Sequence, residues 1–406
     1  MRRAVYYRRL PTPAQMEQAV ILSACRTPIG KFGKSLVGVT APALGSAAVK
    51  EALRRAKVRP QQVDEVIMGN VISAGLGQHP ARQAAIHAGI PFSVGSLTIN
   101  KVCGSGLKAV MLAAQSIKAG DQDVVIAGGM ESMSNAPYIV RGARWGLKFG
   151  DARMMDGMIL DGLWDAYHEY HMGTTGELVA KKYRISRAEA DEFAYGSHTK
   201  AANATKGGDF SAEIVKVQVE REGERAEFGV DECIRGDTTM EKLGKLKPVF
   251  KPRGVLTAGN SSQLSDGAAA LVVSSESAAD KLGAKPIAKI VAYGTGGLEP
   301  SRVMEAPIPT TRALLKKAKM GMEDIDLFEH NEAYSTASIA VRRELKVDER
   351  IFNVSGGAVA LGHPIGCSGA RVLTTLVHGL IRTGKKRGLA TLCLGGGNAV
   401  SMIVER

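Results

Sequence analysis

No apolar run in this 406-residue chain approaches the roughly 20 residues that a membrane-spanning helix needs. Aromatic residues are few, at 5%. No RNA-binding aromatic signature, zinc-finger spacing or long Lys/Arg block is present, so nucleic acid is not the expected partner even though the net charge is +13. A phosphorylated small molecule is the other anion that this charge suits. Cysteine is sparse too: five residues (25, 103, 233, 367 and 393) with no Cys-x-x-Cys pair. An odd, dispersed set argues against a disulfide framework and for a reducing compartment, so a cytoplasmic location is expected. The first 16 residues hold four arginines, no acid, no serine and no continuous apolar segment, which argues against a secretory signal. Residues 1–17 are expected to be a disordered basic extension, or a start codon placed too early, with Met16 the true start.

The length suits two or three domains, and the chain contains itself twice. LRRAKV (53–58) returns as LKKAKM (315–320) and VDEV (63–66) as IDLF (325–328), each 262 residues on; the Ser-Gly pair at 105–106 returns at 368–369. Each Ser-Gly opens a stripe at helical spacing, Leu107, Val110, Met111, Ala114 and then Leu373, Leu376, Val377, Leu380. Each predicted helix ends near a glycine, Gly120 or Gly384, and each is followed by an apolar strand and a glycine cluster, DVVIAGGM (123–130) and LATLCLGGG (389–397). Continuous apolar strands alternating with helices predict an α/β fold whose sheet is covered on both faces. The halves are placed near 18–136 and 286–406. Segment 137–262 is more polar and has no partner in the repeat, so it reads as an insertion supplying substrate contacts. Segment 263–285 reads as a strand and helix returning to the first half.

Cys103 follows a strand-like run and directly precedes a helix, where the helix dipole and backbone N–H groups favour thiolate. The alternative is a buried small hydrophobe, the usual fate of a free cysteine. The second half adds His363 in a Gly/Pro-rich turn before the matching helix, and Cys393 in CLGGGNA. Halves packed about a pseudo-twofold axis would bring Cys103, His363 and Cys393 together as a nucleophile, an imidazole and a proton-shuttling thiol, a set suited to acyl transfer. In FEHNEAY (328–334), Asn331 is placed to orient a water or donate to an oxyanion; His330 and Glu332 read as supports or as a surface turn.

Together these stretches resemble the thiolases. The matching motifs run from about residue 18 to the end and include SACRTPIGKFGKSL, NKVCGSGLKAVMLAAQSI, AGGMESMSNAPY, TAGNSSQLSDGAAA, NEAY, NVSGGAVALGHPIGCSGAR and CLGGGNA. The resemblance implies two βαβαβαββ halves in a five-layered α-β-α-β-α core with an inserted loop domain. Residues 18–136 plus 263–285 would form the N-terminal half, 137–262 the loop domain for coenzyme A, and 286–406 the C-terminal half. It implies Cys103 as the acylated nucleophile, His363 as its activator and Cys393 as the proton shuttle. Asn331, through a water, and His363 would make one oxyanion site; the backbone N–H groups of Cys103 and Gly395 would make the other. His171, Met172, Arg235, Phe250 and Ser262 fall where the family contacts coenzyme A. No metal or permanently bound cofactor is implied; acetyl-CoA and coenzyme A are substrates, and a homotetramer or homodimer is expected. The implied reaction is the reversible Claisen condensation of two acetyl-CoA to acetoacetyl-CoA and coenzyme A.

The runner-up is a 3-ketoacyl-CoA thiolase acting on longer chains. More distant are a condensing enzyme of fatty-acid synthesis, which has no counterpart of Cys393, and an inactive scaffold, against which the three reacting residues stand. Arg141, Arg144, Lys148 and Arg153 are placed either near coenzyme A phosphates or on a solvated face. Tyr334, Asn398 and Glu305, with Ala399 and Ala306, depart from the family pattern and are expected close to the acyl pocket; Cys367 is read as packing.

Overall fold

The computed structural model describes residues 17–221 and 223–406, so the extension expected over 1–17 lies outside it apart from Glu17. The run AVILSACR makes β1 (Ala19–Arg26), every residue of which is buried; such a strand needs cover on both faces. There follow α1 (Ala41–Ala56), β2 (Glu65–Gly69), α2 (Pro80–His87), β3 (Gly95–Ile99), α3 (Ser105–Ala119) and β4 (Val124–Ser132). Past α4 (Gly173–Lys182) and α5 (Arg187–Lys206), the chain returns as β5 (Ser265–Ser275) and α6 (Glu276–Leu282). The series then repeats with β6 (Ala288–Gly297), α7 (Pro307–Ala318), β7 (Leu327–His330), α8 (Ser335–Leu345), α9 (Ile365–Thr383), β8 (Arg387–Leu394) and β9 (Asn398–Glu405). The repeat extends to the caps. α1 and α7 end on left-handed lysines, Lys57 (φ 55°) and Lys319 (φ 56°), and α3 and α9 on left-handed glycines, Gly120 (φ 78°) and Gly384 (φ 67°).

One ten-stranded sheet runs β7-β8-β9-β6-β1-β5-β4-β2-β3, with the short strand Gly30–Lys31 beside β5. The order is mirrored about β1 and β6, which join through Val20↔Lys289 and Ile21↔Ala288. β2 is parallel to β3 and β4, as β7 is to β8. Opposite β3, the second half has only the parallel bridge of Phe328 to Phe352.

Three cores separate the layers. Leu44, Val49 and Ala84 of α1 and α2 pack on Val20, Val66 and Ile126. Leu314, Val341 and Leu345 of α7 and α8 pack on Phe328, Leu389 and Ile403. Between the half-sheets lie α3 and α9, whose Leu107, Val110, Leu373 and Leu376 share one core with Ile21, Val125, Leu271, Leu392 and Val404. Each such buried Leu is worth about 2 kcal/mol relative to exposure. The layers are therefore α-β-α-β-α, as the repeat and the resemblance imply.

α3 and α9 meet reciprocally. A Cβ on Gly106 would stand 2.6 Å from the Ala370 nitrogen, and one on Gly369 would stand 2.4 Å from the Leu107 nitrogen. The repeated Ser-Gly pair is thus a backbone crossing point, and it brings the N-termini of both helices to one place. From the intervening segment, α4 and α5 pack on α8. A hairpin (Val217–Arg221 with Glu224–Phe228) reaches the outer core of the first half through Val217, Val219 and Phe228. Buried Arg26 ties this segment to β1, bonding Glu213 at 2.5 Å and Asp231 at 2.7 Å; a charge so deep needs such partners.

Candidate active site

The chain reaches Cys103 from β3 through a tight turn. Asn100 Oδ1 accepts from the Val102 N–H (2.9 Å), and Ser105 Oγ donates to the Val102 carbonyl (2.6 Å). Val102 has φ +46°, strained for a β-branched residue and typical of backbone held by function. A Cβ on Gly104 would meet Leu394 at 2.4 Å, so the glycine lets the turn seat against the end of β8, which carries Cys393. The N–H groups of Gly395 and of Cys103 itself point at the Cys103 sulfur.

His363 lies between Gly362 (φ +102°) and Pro364, two residues before α9. Its Nδ1 is 2.5 Å from Ser368 Oγ, which donates onward to the Pro364 carbonyl (2.8 Å). Ser368 therefore accepts from Nδ1–H, which assigns the free lone pair to Nε2. Asn331 Nδ2 reaches Nε2 at 3.4 Å, and Asn331 Oδ1 has no partner among the described residues.

Cys103, His363, Cys393 and Gly395 line one inner cavity of about 40 Å³, with Met172, Val303, Met304 and Ile365 among its walls. Asn331 stands behind His363. Cys103 of the first half is thus brought together with His363, Cys393, Gly395 and Asn331 of the second and Met172 of the segment between. Next to the cavity lies an outer groove of about 430 Å³, lined by His171, Arg235, Phe250 and Ser262 together with Lys31 and Met158. His171 stacks on Phe250 at 4.9 Å. Met172 belongs to the inner cavity rather than the groove.

Electrostatics depart from the sequence expectation at Cys103. Desolvation pushes its pKa up to about 11, against the downward pull of the two N–H groups and with a smaller push from the Glu131 charge. The thiol is the favoured resting form. Burial raises Cys393 as well, and the two sulfurs disfavour each other's ionisation. His363 is pushed down to about 3, by burial first and the Arg371 charge second. Its imidazole is neutral and able to accept a proton.

Of the family departures, only Tyr334 reaches the pocket. Asn398 turns away from it, 3.4 Å from Lys101 Nζ. Glu305 pairs with Lys182 and Arg302, while its neighbours Val303 and Met304 line the cavity. His330 and Glu332 form no surface turn: both are buried, Glu332 bonding Ser197, Asn353 and the Val359 N–H, and His330 bonding Ser338. Arg141, Arg144, Lys148 and Arg153 are exposed and line neither cavity; the positive groups at the groove are Lys31 and Arg235. Cys367 is core. Among the described residues no cluster of His, Cys, Asp or Glu could hold a metal ion.

Two residues that sequence reasoning missed brace the site. Ser368 orients His363, and its place in the repeated Ser-Gly pair was an available signal. Buried Glu131 accepts from the Val71 and Ile72 N–H groups, from Asn70 Nδ2, and from the Gly366 N–H at 2.8 Å. It thereby clamps the turn after β2 to the first turn of α9, and no local pattern announces it.

The thiolase N-terminal domain matches residues 19–277 and the thiolase C-terminal domain residues 284–406. The chain belongs to the thiolase family. This thiolase is 51% identical over 392 residues to the acetyl-CoA acetyltransferase of Cupriavidus necator, covering 96% of this chain and 100% of that one. It is 50% identical to the acetyl-CoA acetyltransferase of Escherichia coli at the same coverage. The crystal structure of the Bacillus anthracis acetyl-CoA acetyltransferase matches with a TM-score of 0.94 at 42% identity, covering 96% of this chain and 99% of that one. The inner cavity therefore sits in a fold and a family that use this doubled architecture.

Proposed function

We propose that this thiolase is an acetyl-CoA C-acetyltransferase that condenses two acetyl-CoA to acetoacetyl-CoA and coenzyme A, and runs the reverse thiolysis, through an acetyl-Cys103 intermediate. The observation that carries the reading is two thiols and one neutral imidazole lining a cavity of about 40 Å³, together with about 50% identity to acetyl-CoA acetyltransferases over nearly the whole chain. At roughly 10–15 Å³ per water-sized group, that cavity admits about three such groups, which favours acetyl over a long acyl chain.

His363 Nε2 takes the Cys103 proton as the sulfur attacks the acetyl carbonyl; because the resting thiol is protonated, transfer and attack are coupled. The developing oxyanion meets the N–H groups of Cys103 and Gly395. The carbonyl collapses, the thioester bond breaks, and coenzyme A leaves with the proton of Cys393, while His363 keeps at Nε2 the proton it took from Cys103. Cys393, left as thiolate by that transfer, takes a proton from C2 of the second acetyl-CoA; the carbanion attacks acetyl-Cys103, and the Cys103 sulfur leaves with the proton held by His363. Asn331, whose free Oδ1 suits a water, and His363 stabilise the enolate oxygen. Two thiols are needed because the acyl group occupies one. His171, Arg235, Phe250 and Ser262 bind coenzyme A in the groove, with Met172 at its inner end, and no permanently bound cofactor takes part. The scattered free cysteines favour a reducing, cytoplasmic setting, and among the described residues no helix is long and apolar enough to cross a membrane. β3, at one end of the sheet with Leu97 40% exposed, is an edge that a second copy would cover, in a homodimer or homotetramer.

Thiolysis kinetics across 3-ketoacyl-CoA chain lengths test the reading. Activity confined to C4 is expected; a preference for C8 or longer overturns the acetyl assignment.

A further inference from the structure

Leu163, Ser262, Tyr334, His363 and Ile365 line both the inner cavity and the outer groove. They are the neck between the thiols and the groove, and Tyr334 is the largest of them. The backbone of Tyr334 pairs with Ser261 just before α8, and its ring stands edge-on to Phe250 at 5.8 Å and 83°. A Cβ on Gly176 would come within 3.2 Å of that ring, so the ring is seated against backbone. The residue is 6% exposed, yet its hydroxyl has no hydrogen-bond partner among the described residues. Tyr334 lines both cavities, so a ligand in the neck can supply that partner. Burial and the nearby Cys103 and Cys393 raise the phenol's pKa, so it remains a donor whichever thiol ionises.

A thioester with its carbonyl carbon at Cys103 extends outward by its sulfur, two methylenes and then, in a pantetheine arm, an amide. That amide is the first polar group to cross the neck. Leu163 and Ile365 offer it nothing, His363 Nδ1–H is already bonded to Ser368, and the hydroxyls of Ser262 and Tyr334 remain, so the carbonyl and the N–H of the amide have one each. We propose that Tyr334 is a specificity-determining residue of this site: its Oη donates to the amide carbonyl nearest the sulfur, and so selects pantetheine thioesters over thioesters with a plain alkyl arm. The proposal rests on the reading of the site as an acyl-CoA thiolase and adds a contact to it.

The test compares two small substrates in thiolysis by the full-length protein and its Tyr334→Phe variant. Acetoacetyl-N-acetylcysteamine carries the amide; the S-pentyl thioester of acetoacetate has methylenes in its place. Tyr334→Phe is expected to lower kcat/KM about fivefold, the effect of one neutral hydrogen bond, for the first substrate, mainly through KM, and to leave the second within twofold. Equal losses on both substrates, or no loss on either, overturn the proposal. A partly misfolded variant scales both substrates alike, so their ratio still decides. Failure of the functional reading is distinct: wild-type protein would then cleave neither acetoacetyl-CoA nor either thioester.

Discussion

At the scale of the residue, Cys103 combines a helix-start position with a pKa pushed up to about 11. A thiol below its pKa gains thiolate tenfold per pH unit. Alkylation of Cys103 by iodoacetamide in the free protein, followed by peptide mass spectrometry, should therefore keep rising from pH 7 to 10; a plateau near pH 7 would show a preformed thiolate instead. The division of labour between the thiols gives a second expectation. Cys393→Ala should still acquire label on Cys103 from labelled acetyl-CoA while condensation falls by at least 10²-fold, the usual weight of a general base. Equal loss of both steps would contradict separate roles. His363, pushed down to about 3, stays neutral across the working range, so it imposes no acid limb of its own near neutrality.

At the scale of the element, the α3–α9 crossing is the least tolerant contact. Gly106→Ala drives a methyl to 2.6 Å from backbone nitrogen that cannot swing away. Such overpacking should cost about 3 kcal/mol. Gly384→Ala at the end of α9 meets nothing within 4 Å and carries only the strain of φ +67°, which should cost about 1 kcal/mol. Urea midpoints at constant m-value would rank the two; equal costs would mean that the crossing relaxes. Each glycine has its counterpart in the repeat, Gly369 for Gly106 and Gly120 for Gly384, yet their jobs differ, because one ends a helix in solvent and the other lies under a second helix.

At the scale of the whole molecule, buried titratable groups set the pH range of stability. His198, His330 and His363 are pushed down to about 4, 3 and 3 by burial. A depressed histidine contributes stability that is present above about 6.5 and lost as pH falls. Glu131 and Glu329 are raised by burial to about 7 and 8. A raised carboxyl contributes stability that is present below about 4.5 and lost as pH rises through 7 to 8. Burial also lowers His171 and raises Asp266 and Glu332, so below about 6.5 the two slopes oppose each other, and above it the histidines are spent and only the loss from the carboxyls remains. Thermal midpoints should decline from about pH 6.5, the ordinary histidine value, towards pH 8. Glu131→Gln should flatten that decline, while lowering stability by about 2 kcal/mol at pH 6.5 because amide donors of the clamp lose a partner. A monotonic rise from pH 5 to 8 would refute the assignment.

The sequence by itself determined the doubling, the helices and strands of each half, and the chemical identity of Cys103, His363 and Cys393. These follow from local periodicity and from motifs that must keep their residues to react. Only the tertiary structure decided that the repeated Ser-Gly pair is a crossing of two backbones, that Glu131 bonds the two halves, and that Tyr334 stands in a neck while Asn398 and Glu305 do not. It also reversed the expected bias of the Cys103 thiol. Burial and packing depend on what the rest of the chain brings to a residue, and desolvation of the sulfur outweighs the pull of the two backbone N–H groups beside it.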